Sequence, residues 1–254
     1  MPTQTPLTDA INALTTYANT VTSASDTTLS DAVATLAAGY GGGGSNTLYK
    51  RLDGTLTDSD VDWSQLSTTL KDYAFYQCAQ LTTVGNPTVA QLPANGFRSC
   101  TGLTSAEITC TNQLQTYCGS MFRGCTNLET ATVHFTYSGN GDVDFGETYF
   151  FSGDSKLHTV IYTHNHATKT LKIRANFMFE NCTALRTLVL KTNNLVTLSN
   201  GTNANAWGGI YNNPSESTIY VPNALIASYQ TASNWSTLYG RGVTFAKIEG
   251  SIYE

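Results

Sequence analysis

The sequence predicts an α/β repeat solenoid with a parallel sheet along one face, preceded by a short α-helical N-terminal segment. Three observations predict it. A Phe-x-x-Cys-x-x-Leu segment recurs with starts 22, 25, 29 and 28 residues apart. The better preserved copies run on into alternating apolar residues, and a glycine run, Gly41 to Gly44, separates this region from a stretch of different composition. Self-similarity at a period of about 20–50 residues marks stacked coils, each too small to bury its apolar face alone.

Residues 1–40 contain no Lys, Arg, Cys, Trp or Phe. Leu7, Ile11, Leu14, Ala18 and Val21 follow helical spacing, with Thr5 or Thr8 as a cap. Leu29, Val33 and Leu36 mark a second helix that Asp26 or Thr28 would start. Each apolar stripe is narrow and must pack on something, so this segment is expected to dock or oligomerise. Residues 41–46 read as a glycine-rich linker and 47–72 as an N-terminal cap carrying Val61, Trp63, Leu66 and Leu70. The solenoid spans 73–222. A C-terminal cap, 223–254, follows Pro222, with Asn223 starting a short helix and Trp235 and Val243 to Ile248 closing the core.

Five copies carry the ladder positions: Phe75, Cys78 and Leu81; Phe97, Cys100 and Leu103; Phe122, Cys125 and Leu128; Phe151 and Leu157, with Asp154 in the cysteine place; and Phe179, Cys182 and Leu185. The alternating tails, Ala131 and Val133, Val160 and Tyr162, Leu188 and Leu190, each form a strand with one side chain in and the next out. A decayed sixth copy runs through Ile210, Asn213, Ile219 and Val221. The Phe-to-Cys segment suits a short helical or 3-10 turn opposite the sheet. Cys78, Cys100, Cys125 and Cys182 share one place in the repeat, and Asp154 replaces it once. That favours reduced, buried thiols over a disulfide or metal framework. Cys110 and Cys118 fall outside the rule and are open to pairing or to reduced burial, the latter being the simpler expectation.

These segments resemble the BspA-type leucine-rich repeats of bacterial surface proteins, which also occur in phage and prophage proteins of gut bacteria. The stretch Ile219-Tyr220-Val221-Pro222-Asn223-Ala224-Leu225 through Asn234-Trp235-Ser236 is similar to the usual end of such arrays. Leu7 to Ala37 followed by glycines is similar to the leader of phage tail and fibre proteins. The resemblance implies an adhesive or structural surface and brings no catalytic motif with it.

The remaining chemistry is sparse. Charged residues make up only 12% of the 254 and the net charge is -5, while threonine alone occurs 41 times. No basic block supports nucleic-acid binding. No apolar run is long enough to span a membrane, and the first ten residues lack the features of a signal peptide. His164 and His166 lie on one side of a strand, and around a threefold axis such pairs could ligate a metal. Two ligands from one chain do not close a site, so no metal and no cofactor are expected. Asp142 and Asp144 lack the remaining ligands of a calcium loop. Gly41 to Gly44 lacks the Lys-Ser/Thr of a phosphate loop, and no nucleophile elbow is present. Tyr137, Phe145, Tyr149, Trp207 and Tyr211 sit in polar inserts and are candidate contact residues, against the alternative that the rings fold back on the solenoid.

The expected function is therefore non-enzymatic: a phage virion protein of fibre, receptor-binding or decoration type. Residues 1–40 would engage other virion proteins and the repeats a host surface protein or glycan, in a homo-oligomer, most simply a trimer. The alternative is a bacterial cell-surface adhesin of the BspA kind. A glycan-cleaving enzyme would need two carboxylates facing each other across a groove.

Overall fold

The computed structural model of the protein describes residues 55–66, 70–112, 118–145, 148–174, 176–199 and 201–254. The helices expected within 1–40 and the linker at 41–46 lie outside the described residues. From residue 70 the chain winds as a stack of coils, each contributing one strand to a seven-stranded parallel sheet in the order β1-β2-β3-β5-β7-β9-β10. The strands are β1 (Thr83–Val89), β2 (Ser105–Cys110), β3 (Thr130–Phe135), β5 (Thr159–His164), β7 (Thr187–Thr192), β9 (Thr218–Val221) and β10 (Thr244–Lys247). A second parallel sheet, β4 (Val143–Phe145), β6 (Leu171–Arg174) and β8 (Thr197–Ser199), flanks it.

Each strand begins at a fixed distance from its phenylalanine. Thr83 lies eight residues after Phe75, and the same step separates Ser105 from Phe97, Thr130 from Phe122, Thr159 from Phe151 and Thr187 from Phe179. Constant spacing brings equivalent side chains into register, and the rings stack. Phe75 and Phe97 are 5.0 Å apart, Phe97 and Phe122 5.4 Å, Phe122 and Phe151 5.6 Å, and Phe151 and Phe179 5.7 Å, all within 10° of parallel. Tryptophans extend the ladder at both ends: Trp63 lies 5.5 Å from Phe75, Trp207 5.8 Å from Phe179, and Trp235 5.5 Å from Trp207. The ladder phenylalanines and leucines have no exposed surface. Burying each such ring is worth about 1.5–3 kcal/mol.

The expected helical or 3-10 turn between Phe and Cys is not what forms. Each coil makes a pair of turns bounded by residues in the left-handed region. Tyr73, Asn95, Ser120, Tyr149 and Phe177 lie two residues before the ring, and Gln77, Ser99, Gly124, Gly153 and Asn181 two after it, with φ between 50° and 88°. A left-handed residue ends a helix, and the freed amides bond to the next coil instead. The Phe75 amide donates to the Gly96 carbonyl at 2.7 Å, Phe97 to Met121 at 2.8 Å and Phe151 to Met178 at 2.9 Å. The solenoid therefore has backbone ladders at the main sheet, at the small sheet and at the turns.

The cysteines link those turns. All six are free and buried. The Cys100 thiol donates to the Phe75 carbonyl at 2.8 Å, Cys125 to Phe97 at 3.1 Å and Cys182 to Phe151 at 3.0 Å. The Phe97 carbonyl also accepts the amide of Cys100, at 3.2 Å, so its two lone pairs serve two coils. Burial raises the Cys125 and Cys182 thiols well above their ordinary range. They act as buried donors, not as nucleophiles.

The ends are closed differently. At the start, the 3-10 turn Asp58–Asp60 places the Asp58 carboxylate where it accepts the Thr82 and Thr83 amides at 2.9 and 3.1 Å, covering donors of edge strand β1. A second 3-10 turn, Trp63–Gln65, lays the indole over Gly85, where a Cβ would come within 2.5 Å of the ring. At the other end, helix α1 (Ala204–Asn212) precedes β9, and α2 (Ile226–Thr231) and α3 (Trp235–Gly240) precede β10. Trp235 Nε1 donates to the Val196 carbonyl at 2.7 Å, the Tyr229 hydroxyl accepts the Val196 amide at 3.0 Å, and Asn234 Nδ2 donates to the Leu198 carbonyl at 3.0 Å. The C-terminal cap thus satisfies backbone groups in and beside β8 while its own strand extends the main sheet.

Candidate binding face

Strand alternation turns one set of side chains of the main sheet into the core and the other outward. The strand registers align the outward residues in rows that cross every coil. The first row is Thr83, Ser105, Thr130, Thr159, Thr187, Thr218 and Thr244. The second is Gly85, Glu107, Thr132, Ile161, Val189, Tyr220 and Ala246. The third contains Thr88, Thr109, His134, Thr163 and Lys191.

This face is hydroxyl-rich and held in place by side-chain hydrogen bonds. His134 bridges three strands, with Nε2 2.8 Å from Glu107 Oε1 and Nδ1 2.9 Å from Thr163 Oγ1. Thr109 donates to Asn86 Oδ1 at 2.7 Å. Towards the C-terminal end the second row becomes apolar, through Ile161, the buried Val189 and Tyr220. The Tyr253 ring lies 4.8 Å from that of Tyr220 and Ile252 is 90% exposed.

The small sheet presents a charged face. Val143, Phe145, Leu171, Ile173 and Leu198 point inward and are buried, while Asp144, Lys172, Arg174, Thr197 and Ser199 line a shallow open groove. Lys172 pairs with Asp142 at 3.0 Å, and Arg174 grips Asp144 through two nitrogens. The Thr170 amide and Lys172 draw the Asp142 carboxyl down to about 2. These charges are matched within the sheet. A cavity of about 20 Å³, roughly one water, lies beneath, lined by both Cys110 and Cys118, and burial pushes the Cys110 thiol up to about 11.

The five aromatic contact candidates do not form one surface. Phe145 is 3% exposed and packs 5.0 Å from Phe135 and 5.1 Å from Phe150. Trp207 is fully buried as a rung of the ring ladder. Both are core residues, because each insert that carries them folds into a regular element, β4 and α1. Tyr137 and Tyr211 are partly buried against the core, with Arg241 3.7 Å over the Tyr211 ring. Tyr149 is half-buried on the turn side, stacked 5.0 Å from Phe177 under Arg123.

The rings of the two candidate ligand histidines stand 6.0 Å apart, each with its Nδ1 engaged, and the buried His164 Nε2 has no hydrogen-bond partner. His166 Nδ1 accepts the Thr168 and Lys169 amides at 3.1 and 3.0 Å, which places the proton on Nε2. His164 is 2% exposed, with Nδ1 3.3 Å from the Phe135 carbonyl, and burial lowers its pKa. Among the described residues no group of three or more His, Cys, Asp or Glu side chains is placed to hold a metal ion, and no helix is long and apolar enough to cross a membrane.

The outward threonine row was not singled out in the sequence. Its signal is present, since each of the seven strands opens with Thr or Ser.

A stack of coils joined by a parallel sheet, a ring ladder and a thiol ladder defines a leucine-rich-repeat solenoid. The chain belongs to the BspA type leucine rich repeat region family, whose profile matches residues 68–206 in 6 copies. Among solved structures it is similar to a leucine-rich repeat protein from Bacteroides ovatus, at 17% identity and a TM-score of 0.20, over 71% of this chain. The chain spans 63% of the length of that protein. No curated protein matches.

Proposed function

We propose that this chain is a non-catalytic binding module, an adhesin of the BspA kind, which acts at a cell surface through the outer face of its seven-stranded sheet. The observation that carries this reading is the face itself: seven strands in register present a continuous, hydrogen-bonding surface on a rigid scaffold. The family, typified by surface proteins, supports the same reading. The alternative of a phage virion fibre draws on the pattern of residues 1–46, and no described residue favours it over the adhesin.

The test is attachment of the purified chain to host cells or wall preparations, compared with Thr132→Arg, which plants a long charged side chain mid-face. Loss of attachment with an unchanged melting temperature supports the reading. Attachment unaffected by this change, or lost only on altering the small sheet, contradicts it.

A further inference from the structure

Resting on the proposed use of this face, we infer that its ligand is a neutral, extended polysaccharide laid across the strands, one sugar to each strand along the threonine row. Three observations converge.

The first is periodicity. The row from Thr83 to Thr244 places a hydroxyl on each of seven adjacent strands, and all but the buried Thr159, which is bonded to His158, are open to solvent. Strand spacing sets the interval at about 4.8 Å. An extended β-linked hexose chain advances by a closely similar distance per sugar. Each hydroxyl both donates and accepts, as each sugar hydroxyl does.

The second is charge. Within the three rows the acidic and basic side chains are Glu107, His134 and Lys191, and Glu107 is paired with His134 at 2.8 Å. A polyanion or polycation would find no rail of opposite charge.

The third is the apolar end. Ile161, Tyr220 and Tyr253 offer flat apolar surface, and the exposed Ile252 stands beside Tyr253. Such surface suits the C–H face of a pyranose ring. Contacts weak at each sugar add up along a polymer.

The experiment is native affinity electrophoresis of the full chain in gels containing hydroxyethylcellulose or galactomannan, both extended β-linked chains. Polygalacturonate and chitosan serve as the charged comparisons. The expected result is retardation by at least one neutral polymer, weakened about tenfold in Thr130→Val/Thr187→Val, which keeps side-chain shape and removes two hydroxyls. A matching melting temperature shows that the variant is folded. Retardation by the charged polymers alone, by none, or unchanged in the double variant overturns the inference. If the chain is not retarded but still attaches to cells in a manner abolished by Thr132→Arg, the polysaccharide assignment fails while the sheet-face function stands.

Discussion

Trp207 stands 5.8 Å from Phe179, in the place that the next phenylalanine of the ladder would take. Three residues on, Ile210 fills the cysteine place and is likewise fully buried. Trp235 and Leu238 repeat that spacing in the last coil. Beyond the capping Trp63, the array thus carries seven rungs for seven strands, and its last two coils use indoles where the others use benzyl rings. The Trp207 indole N–H has no partner. Trp207→Phe is therefore expected to leave stability within about 1 kcal/mol, since the lost area is offset by removing an unsatisfied donor. Trp207→Ala should cost about 3–5 kcal/mol in urea unfolding. A small cost for the alanine variant would return Trp207 to the surface role its loop-like sequence suggests.

Asp154 gives a pH signature. It has no exposed surface, neither carboxylate oxygen has a hydrogen-bond partner, and it stands between Cys125 and Cys182 in the thiol ladder. Burial holds its carboxyl well above the ordinary range, and the nearby backbone of Cys125 and Gly124 offsets only part of that. A folded pKa above the unfolded one, near 3.9, means that the carboxyl favours folding most below about pH 4. This contribution falls as pH rises towards the folded value. Asp154→Cys restores the thiol and should gain about 1–3 kcal/mol at neutral pH. The gap to wild type should widen from pH 4 to 7 in parallel denaturation series. A gap independent of pH would contradict a neutral buried acid.

The left-handed turns make opposite predictions for two equivalent positions. Ser99, at φ 60°, carries a side chain where glycine fits without strain, so Ser99→Gly should stabilise by up to about 1 kcal/mol. Gly153 has φ 88° and room for a methyl group, the nearest atom being 3.7 Å away. Gly153→Ala should therefore cost about 1–2 kcal/mol through backbone strain alone. Paired unfolding curves check both signs.

Gly208 is constrained from two sides. It has φ 48° inside α1, and a Cβ would lie 2.2 Å from the Phe179 carbonyl oxygen. Gly208→Ala should cost more than about 2 kcal/mol and loosen the last coils, read as faster amide exchange in β9 and β10. Exchange unchanged there would show that the helix can shift without cost.

Much of the architecture was readable from residue spacing alone. The fixed interval from each Phe to its Cys, Leu and strand locates the rings, the thiols and the parallel sheet, because stacking in register requires that interval. The small sheet was not readable in this way. Val143–Phe145 and Thr197–Ser199 are three-residue strands, too short for alternation to stand out from a polar insert, and they form only because coils stack them side by side. Nor does the sequence distinguish a left-handed turn from a 3-10 turn when Gln77 or Ser99 adopts φ 60°. The binding face was hidden for a different reason. A threonine that opens a strand reads as β-propensity, and only the register across seven strands turns it into a surface.

The account rests on coils stacked so that the repeat thiols are buried, those of Cys100, Cys125 and Cys182 against the coil before. Alkylation without reductant, followed by mass spectrometry, tests this most directly. The native protein should take up no label at Cys78, Cys100, Cys125 or Cys182, and the denatured protein should take up label at all six cysteines. Any disulfide in the denatured sample, or rapid native labelling at those four positions, would contradict the ladder.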